Sequence, residues 1–340
     1  MTRQSESKQL VLSASSISTF QTCKRRYFYE KIQNLQSVET ADALAFGSAI
    51  HRGLEKIFRA MMEYQNHGYD GSCKGFHEEA VNDAILAATE VDLTEQDRIK
   101  VEVLLVKYAE RWLEEDMRSR TVVGVEEHNK ATIRNPETGK QMLNVYVQGY
   151  CDAIVLDRDG TALSIVEHKT TSAMTDDYFE HASIDLQVYM YTDIVSRCMG
   201  KDVTQVIYDV IQKPRHEMAT GETDEEFEAR KAAAKCPERC KRKEAETPAD
   251  FRARLNAAIT EDYFRREYIQ IDPDMLAEFR RELWETAHEI SGCKYYAKST
   301  CNCMKWGRCP FMDACRNHGS FDGIEDKFTS RTARETEVEQ

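Results

Sequence analysis

Two carboxylates and a lysine are spaced so that one β-hairpin would bring them together: Asp152, Glu167 and Lys169. Strand-like runs carry both carboxylates, and Asp159-Gly160 between them predicts a two-residue type I′ turn. Counting outward from that turn places Asp152 directly opposite Glu167, with Cβ atoms about 4.5–5.5 Å apart. Lys169 would then share the face of Glu167, whereas His168 would point away.

The opposed carboxylates predict either a cation site or a solvated polar face. They repel each other, and a divalent cation between them removes the repulsion. Beside such an ion, the ammonium group of Lys169 would orient or deprotonate an attacking water while the metal polarises a phosphoryl oxygen. The alternative is an edge hairpin with an ordinary polar face, on which Glu and Lys two residues apart are common.

Three residues on predicted helices fit the same chemistry. His51 lies beside the apolar stripe of an amphipathic helix, and an imidazole that faces carboxylates is a good ligand for a divalent metal. Gln187 and Tyr191 are one helical turn apart on one face, where an amide and a phenol would hold a phosphate or a nucleic-acid end. Ordinary packing between helices and sheet explains these residues as well.

The segment CNCMKWGRCPFMDAC carries a group of closely spaced cysteines. This density predicts a zinc site or an iron–sulfur cluster. The spacing differs from the paired C-x-x-C of a zinc ribbon, which makes zinc the less favoured of the two. The cysteines of this segment are Cys301, Cys303, Cys309 and Cys315.

The chain has 340 residues, 11 cysteines and a formal net charge of −13. The acidic balance argues against a protein that coats nucleic acid non-specifically, but it allows an enzyme with a local basic channel. No apolar run approaches the roughly 20 residues that span a bilayer, and the first residues lack the apolar core of a secretory signal. We therefore expect a cytoplasmic protein without membrane contact, whose thiols are free or metal-bound rather than disulfide-paired.

Apolar periodicity predicts helices on both sides of a central group of strands. The helices are expected near residues 13–28, 43–62, 94–118, 183–198 and 260–290, and the strands near 145–155, 163–166 and 203–211. This order predicts an α/β fold of the α+β kind, in which helices flank a mixed β-sheet.

One domain is expected over residues 13–320, between a flexible lead at 1–12 and a flexible tail at 321–340. Its predicted parts are a helical region with the histidine at 13–125, a catalytic sheet and helix at 140–215, a charged surface insertion at 215–250, and C-terminal helices with the cysteines at 251–320.

Five segments in this order resemble the PD-(D/E)XK nuclease superfamily, and within it the RecB-like and AddB-like exonucleases. They read LSASSISTFQTCKRRYFY, FGSAIHRGLE, GYCDAIV, VEHKT and LQVYMYTD. The lone E-x-K of VEHKT would be a weak signal, but five motifs in the family order are a strong one. The resemblance implies a restriction-endonuclease-like core, which agrees with the predicted mixed sheet.

The resemblance also implies roles for single residues in hydrolysing DNA. His51, Asp152, Glu167 and the main-chain carbonyl of His168 would hold Mg²⁺ or Mn²⁺. Lys169 would position or activate the attacking water, and Gln187 and Tyr191 would help to hold the DNA end.

The terminal cysteines are similar to those of iron–sulfur exonucleases in this superfamily, including the CRISPR-adaptation nucleases. That similarity implies a 4Fe–4S cluster held by Cys23, Cys303, Cys309 and Cys315, which would join the first helix to the last. Cys301 competes with Cys303 for one ligand position. The basic run Lys24, Arg25 and Arg26 beside Cys23 is the predicted DNA track, with Arg265, Arg266, Arg280 and Arg281 as further candidates.

The leading hypothesis is thus a metal-dependent DNA exonuclease that acts on single strands or duplex ends. Repair, recombination or mobile-element processing would suit it, with a helicase or recombination protein as partner. A catalytically inactive DNA-binding or scaffold protein of the same fold is the alternative, and a cysteine-based metal or redox protein is a third.

Overall fold

The computed structural model describes residues 9–68, 75–305 and 307–330, apart from the side chains of residues 39–43. The strands are β1 Leu10–Leu12, β2 Leu35–Ser37, β3 Arg120–Arg134, β4 Gln141–Asp157, β5 Leu163–Thr171, β6 Val203–Gln212, β7 Phe264–Gln270 and β8 Phe328–Ser330. The helices are α1 Ala14–Thr22, α2 Lys24–Tyr27, α3 Val38–Asn66, α4 Phe76–Ala88, α5 Glu95–Ser119, α6 Asp176–Ala182, α7 Leu186–Met199, α8 Asp224–Ala233, α9 Pro248–Ala258, α10 Pro273–Ser291 and α11 Met312–Arg316.

A mixed sheet forms the centre of the fold, as the sequence predicted. β4 pairs with β3, β5 and β1, and the sheet continues through β6 to β7. The pairs β1·β4 and β5·β6 are parallel, and the others in this sheet are antiparallel. Helices cover both faces of the sheet: α3 contacts β3, β4 and β5, whereas α7 contacts β3, β4 and β6.

β4 has a gap along one of its edges. β3 occupies the other edge, because it pairs with residues at both ends of β4. β1 pairs with Val145–Val147 and β5 pairs with Ala153–Leu156. Since a strand has only two edges, β1 and β5 share the second one and leave residues 148–152 between them. This opening between β1 and β5 is called the strand gap below.

The predicted hairpin register is confirmed, but the predicted turn is wrong. Ala153 faces Val166 and Leu156 faces Leu163, which is the register that leads towards Asp152 and Glu167. However, β4 ends at Asp157 and β5 begins at Leu163, so the connection is longer than two residues. The amide of Gly160 donates to the carbonyl of Asp157, and Gly160 has φ +74°. The register is as predicted because the loop gains the same number of residues on each side of its centre.

Alternate residues of the strands enter two separate hydrophobic clusters. Ala153 and Val155 of β4 pack with α3, α4, α5 and α9, whereas Ile154 packs with α1, α7 and α10. This alternation is the expected consequence of strand geometry. The apolar stripe of the predicted helix at 43–62 is buried in the first cluster, on the longer helix α3. The helix predicted at 94–118 is confirmed as α5, which Thr94 caps.

Two predicted helices differ from the structure, and two observed elements were not predicted. The first helix stops at Thr22, because Cys23 takes an extended conformation (φ −162°, ψ 111°) before α2 begins. Residues 264–270, predicted as helix, form strand β7, whose antiparallel pairing to β6 outweighs the local helical pattern. α4 and β3 were not predicted at all.

Parts of both predicted flexible ends are ordered. Leu10–Leu12 of the predicted lead forms β1, and Leu12 is fully buried. Within the predicted tail, Phe328–Ser330 forms β8, which pairs with Leu35–Ser37. Phe321 and Phe328 also pack against Tyr29 and Phe311, so apolar burial orders this segment. Residues 1–8 and 331–340 lie outside the described residues.

Between residues 215 and 250 no described side chain is buried. α8 of this segment is held by the ion pair of Arg230 with Glu222 rather than by a core. None of the helices in the described ranges is long and apolar enough to cross a membrane.

Candidate active site

Asp152 lies at the strand gap, where β4 and β5 separate. Its Oδ2 accepts a hydrogen bond from the main-chain amide of His168 at 2.7 Å, just beyond the last β4·β5 pair. Its Oδ1 lies 3.1 Å from Nδ1 of His51, a residue of α3. The two oxygens of one carboxylate are therefore oriented by two different elements.

Glu126 joins this pair from the other edge of β4. Ligand atoms of His51, Glu126 and Asp152 all lie within 4.8 Å of one another. Glu126 is flanked by the cross-strand pairs Val125–Ala153 and Glu127–Cys151, so it stands opposite Asp152. Its backbone is left-handed, with φ +51°, a conformation that a non-glycine residue adopts at a cost and that is common at functional sites.

Glu167, Lys169 and Gln187 form a closed hydrogen-bonded triangle beside Asp152. Lys169 Nζ donates to Glu167 Oε1 at 2.6 Å and to Gln187 Oε1 at 2.7 Å. Gln187 Nε2 donates to the same Glu167 oxygen at 2.8 Å. Because β5 carries the first two residues and α7 carries the third, the triangle fixes the helix against the sheet. The other oxygen, Glu167 Oε2, is buried without a hydrogen-bond partner in the structure.

The site concentrates negative charge. Burial opposes a charged imidazole, but the adjacent Asp152 overrides it and raises the pKa of His51 to about 9. Burial likewise opposes a charged Asp152, yet His51 holds the pKa of that carboxyl at about 2. The pKa of Glu167 is raised, first by burial and then by repulsion from Asp152, although Lys169 counteracts both. A field that favours a protonated imidazole also favours a bound cation.

Tyr191 packs directly on the main chain of β4. A Cβ atom built on Gly149 would lie 2.2 Å from the Tyr191 ring, so only glycine allows this approach. Burial raises the pKa of the Tyr191 phenol. Gly149, Gln187 and Tyr191 line a cavity of 330 Å³ with the serines before and within α1. The cavity opens beside Gln187 and hence beside the Glu167–Lys169 pair.

The side chain of His168 points away from the side chains of Asp152 and Glu167, as the hairpin geometry predicted. It is buried against Phe58, and its Nδ1 lies 3.4 Å from Oδ2 of Asp209. Asp209 is also 3.0 Å from Arg266 and accepts a hydrogen bond from Tyr108. Arg266 was predicted as a DNA contact, but this is wrong: its side chain is 2% exposed and paired with acidic groups under the sheet.

The cysteines predicted to hold a cluster lie where the N-terminal helices contact the segment of residues 296–315. Cys23, Cys303 and Cys309 line one cavity of 70 Å³. Cys315 is close enough to raise the pKa of the Cys309 thiol, after burial, which is the larger cause. Cys301 is exposed and contacts Ser299 instead. The bend at Cys23 lets its Sγ accept a hydrogen bond from the amide of Ser299, which is a suitable environment for a thiolate ligand.

The three residues of the basic run make intramolecular contacts. Lys24 pairs with Glu289, and Arg26 pairs with Glu30. Arg25 donates to the main-chain carbonyl of Tyr296 at 2.8 Å. The contacts of Lys24 and Arg25 join this run to the C-terminal segment, whereas that of Arg26 is local. A DNA contact of this run stays a prediction.

The donor set fits a hard divalent cation. Carboxylate oxygens and an imidazole are the ligands that Mg²⁺ and Mn²⁺ use, and the partnerless Glu167 Oε2 provides a further oxygen. Lys169 lies beside these groups as a fixed cation. The arrangement can bind a phosphodiester, polarise it and hold a water molecule next to it.

Sequence reasoning missed Glu126 because it missed the strand that carries it. The run Val122, Val123 and Val125 indicates a strand after α5. However, two glutamates follow at 126 and 127, and sequence alone does not show which one takes the left-handed backbone and faces Asp152.

Comparison with known proteins agrees with this geometry. A family model of the PD-(D/E)XK nuclease superfamily matches residues 11–316. The matched range contains the strand gap, the carboxylates, Lys169 and all of the cysteines discussed above. A search of curated proteins found no match.

Proposed function

The chain belongs to the PD-(D/E)XK nuclease superfamily, and from this premise we propose that it is a metal-dependent exonuclease that hydrolyses phosphodiester bonds at DNA ends. One observation carries the proposal: the Glu167–Lys169–Gln187 triangle lies next to the His51–Asp152 pair at the strand gap. An acidic cation site and a fixed ammonium group, both beside an open cavity, are the parts that phosphodiester hydrolysis requires.

His51, Asp152 and Glu167, with the main-chain carbonyl of His168, would hold Mg²⁺ or Mn²⁺. The ion would supply Lewis-acid polarisation of a phosphoryl oxygen and lower the pKa of a water molecule. The remaining steps belong to the protein. Gln187 and Tyr191 hold the DNA backbone at the mouth of the cavity lined by Gly149.

Lys169 acts as a positioned cation. Burial works against its charge, but Glu167 overrides it and raises the pKa of the ammonium group. A group that stays protonated orients a water molecule through its N–H donors and offsets the charge that develops on the phosphoryl oxygens. Glu167 would accept hydrogen bonds from Lys169 and Gln187 throughout, so the ammonium group needs no rearrangement when the charge develops.

A 4Fe–4S cluster held by Cys23, Cys303, Cys309 and Cys315 is the second part of the proposal. Support comes from the cavity that three of these thiols share and from the proximity of the fourth. Cys303 is preferred to Cys301 because Cys303 lines the cavity and Cys301 is exposed. The cluster would be structural, since it would lie where the chain ends join and not among the carboxylates.

The biological setting follows from the activity class. An enzyme that degrades DNA from an end suits repair, recombination or mobile-element processing in the cytoplasm. A helicase or recombination protein would supply the end, because the sequence contains no Walker-type phosphate loop for a motor of its own.

The test is digestion of end-labelled single- and double-stranded DNA in Mg²⁺ or Mn²⁺ by the wild type and by Lys169→Ala, both purified without oxygen. We expect metal-dependent shortening by the wild type and a rate lower by about 10²–10³-fold for Lys169→Ala. Lys140→Ala, at an exposed hairpin position, is the matched control and should behave as the wild type.

Folding of all three proteins is checked by circular dichroism and thermal unfolding. If folded wild type leaves every substrate intact but binds DNA, the alternative of an inactive DNA-binding protein replaces the proposal. Release of internal fragments from circular DNA would show an endonuclease and overturn the exonuclease assignment.

A further inference from the structure

A row of aromatic and polar side chains extends along β4 from the candidate active site. Val147 and Cys151 of this strand are buried in the cluster with α1, α7 and α10. Because neighbouring side chains of a strand point to opposite faces, Tyr146, Gln148 and Tyr150 point to the other face of the sheet. The part of β4 that leads to the carboxylates therefore carries two tyrosines on one face.

β3 supplies the partners of this row. His128 lies opposite Tyr150 in the register, and the two rings stack with their centroids 4.8 Å apart and their planes at 19°. Lys130 lies opposite Gln148, and its Nζ is 4.9 Å from the centre of the Tyr146 ring. His128 and Lys130 are exposed. These five residues of β3 and β4 are called the aromatic face below.

The aromatic face is continuous with the candidate active site. Tyr150 precedes Asp152 by two residues on β4, and residues that share one face of a strand follow each other at about 7 Å. On β3, His128 is nearer to this end of the pair than Lys130. A strand of DNA that leaves Asp152 along β4 would therefore meet His128 first and Lys130 next.

Gln148 fixes the orientation of the exposed imidazole. Its Oε1 lies 3.0 Å from Nε2 of His128, although Gln148 itself is 0% exposed. Its Nε2 is buried and has no hydrogen-bond partner among the described residues. An unpaired buried amide is costly, so packing alone does not account for a glutamine here. A ring held by this hydrogen bond and by the stacked Tyr150 is a preorganised surface for a flat ligand.

The chemistry of the aromatic face matches that of a single nucleic-acid strand. Unpaired bases stack on aromatic rings, and basic side chains beside the rings attract the phosphates. A duplex does not offer the faces of its bases in this way, because they are stacked inside the helix. Lys130 is also exposed, whereas the residues of the basic run from Lys24 to Arg26 make intramolecular contacts.

We infer that the aromatic face binds the single-stranded part of the DNA substrate. A base stacks on the exposed side of the His128 ring, and a neighbouring phosphate pairs with Lys130. Tyr150 and Gln148 position the imidazole, and Tyr146 positions the ammonium group. The inference rests on the proposed function and adds to it the surface along which the strand lies.

The experiment measures binding of a fluorescently labelled oligo-dT strand to the full-length protein in EDTA, so that the strand is not cleaved. Fluorescence anisotropy at several salt concentrations gives Kd and the slope of log Kd against log salt concentration. His128→Ala should raise Kd by about 5–150-fold, as expected for loss of one base stack, with the slope unchanged. Lys130→Ala should reduce the slope by about 0.7, the contribution of one phosphate contact on a single strand.

A conservative variant and two controls accompany these replacements. His128→Phe keeps a flat ring and should bind the strand as the wild type does. His288→Ala removes another exposed histidine that packs on an aromatic ring, that of Trp284 on α10. Lys235→Ala removes an exposed lysine of the charged segment. Both controls should leave Kd and the slope unchanged, and circular dichroism checks the folding of every variant.

The outcomes separate this inference from the proposed function. Folded His128→Ala and Lys130→Ala proteins that bind oligo-dT like the wild type would overturn the aromatic face. If the wild type still digests DNA in Mn²⁺, the proposed function would stand without it. An equal loss of blunt-duplex binding in His128→Ala would also contradict base stacking. The expected losses in a protein that digests no DNA would support the binding surface and count against hydrolysis.

Discussion

Gln187 connects the two residues on which hydrolysis is expected to depend. Its amide nitrogen donates to Glu167 and its amide oxygen accepts from Lys169, at 2.8 and 2.7 Å. Neither partner can turn away without breaking a hydrogen bond to a helix that is itself packed on the sheet. We therefore assign Gln187 a positioning role in addition to its expected contact with DNA.

Replacing Gln187 with leucine should slow cleavage without unfolding the protein. Leucine has a similar size but removes both hydrogen bonds, so Lys169 and Glu167 lose their shared partner. Loss of a group that orients reacting residues typically costs about 10–100-fold in activity. The measurement is the single-turnover rate on end-labelled DNA at saturating enzyme, which separates the chemical step from DNA binding.

Gln141→Leu is the matched control, because Gln141 is exposed at the start of β4. Its single-turnover rate should equal that of the wild type. A Gln187→Leu protein that binds DNA more weakly but cleaves at the wild-type rate once bound would contradict the positioning role and leave only the DNA contact.

At the scale of elements, buried charged groups connect the sheet to helix α5. Asp209 of β6 accepts a hydrogen bond from Tyr108 of α5 at 2.6 Å and lies 3.0 Å from Arg266 of β7. Arg266 also makes a bidentate pair with Asp116 of α5. These groups join a helix to two strands directly behind His168, so they help to fix the strand that carries Glu167 and Lys169.

Asp209→Asn should destabilise the fold in a pH-dependent way. Burial alone would raise the pKa of Asp209, but Arg266 overrides it and holds that pKa well below its usual value. Ionised Asp209 therefore stabilises the fold above the unfolded pKa of about 3.9, and this contribution decreases as the pH falls towards the folded pKa. We expect Asp209→Asn to lower the free energy of unfolding by about 3–5 kcal/mol at pH 7, and we expect this difference from the wild type to become smaller below about pH 4.

Urea unfolding of the wild type and of Asp209→Asn at pH 7, 5 and 3.5 measures this difference. Asp224→Asn changes an 89% exposed carboxylate and should have little effect on the free energy of unfolding at any of the three values. If Asp209→Asn lowers the free energy of unfolding by the same amount at pH 3.5 and at pH 7, the ionised carboxylate is not the stabilising form.

Sequence reasoning worked best where local pattern and fold agree. α3 and α5 have regular apolar stripes, although α3 is longer than predicted. β4 and β5 are adjacent in sequence and joined by a short connection, so their register was predicted even though the turn was not. It failed where pairing with a distant strand overrides the local pattern. β7 reads as helix because its arginines and glutamate favour one, and only its position beside β6 makes it a strand.

The same distinction applies to the candidate site. Asp152, Glu167 and Lys169 belong to one hairpin, so strand geometry places them without knowledge of the rest of the molecule. Glu126 depends on a bulged strand, on left-handed backbone and on the pairing of β3 with β4. The burial of Arg266 depends on acidic groups from α5 and β6, which no local pattern reveals.

For the whole molecule, the junction between the N-terminal helices and the last cysteines has only a small buried core of its own. The aromatic cluster there is small: Tyr29, Phe311 and Ala314 are its buried members among the described residues. The strand pair β2·β8 and polar contacts of Cys23, Lys24 and Arg25 with the C-terminal segment surround this small core. A cluster ligated by Cys23 and by the last cysteines would close a loop of nearly the whole chain, which strongly constrains the unfolded state.

Single Cys→Ser replacements should therefore divide into two classes. Replacing Cys23, Cys303, Cys309 or Cys315 is expected to remove iron and acid-labile sulfide and to lower the free energy of unfolding by about 3 kcal/mol or more, as expected for loss of a long-range crosslink. Cys301→Ser should retain both iron and stability, because Cys301 is exposed and lies outside the shared cavity.

Metal and sulfide analysis of the anaerobically purified variants, together with thermal unfolding, distinguishes the classes. Cys198→Ser is the control for loss of an exposed thiol far from the junction. Zinc without sulfide in the wild type would replace the iron–sulfur assignment with a structural zinc site. If Cys301→Ser loses iron and Cys303→Ser keeps it, Cys301 rather than Cys303 is the cluster ligand. Because the carboxylates lie apart from these thiols, a ligand variant that remains folded should still bind Mn²⁺ at Asp152, which separates structural support from catalysis.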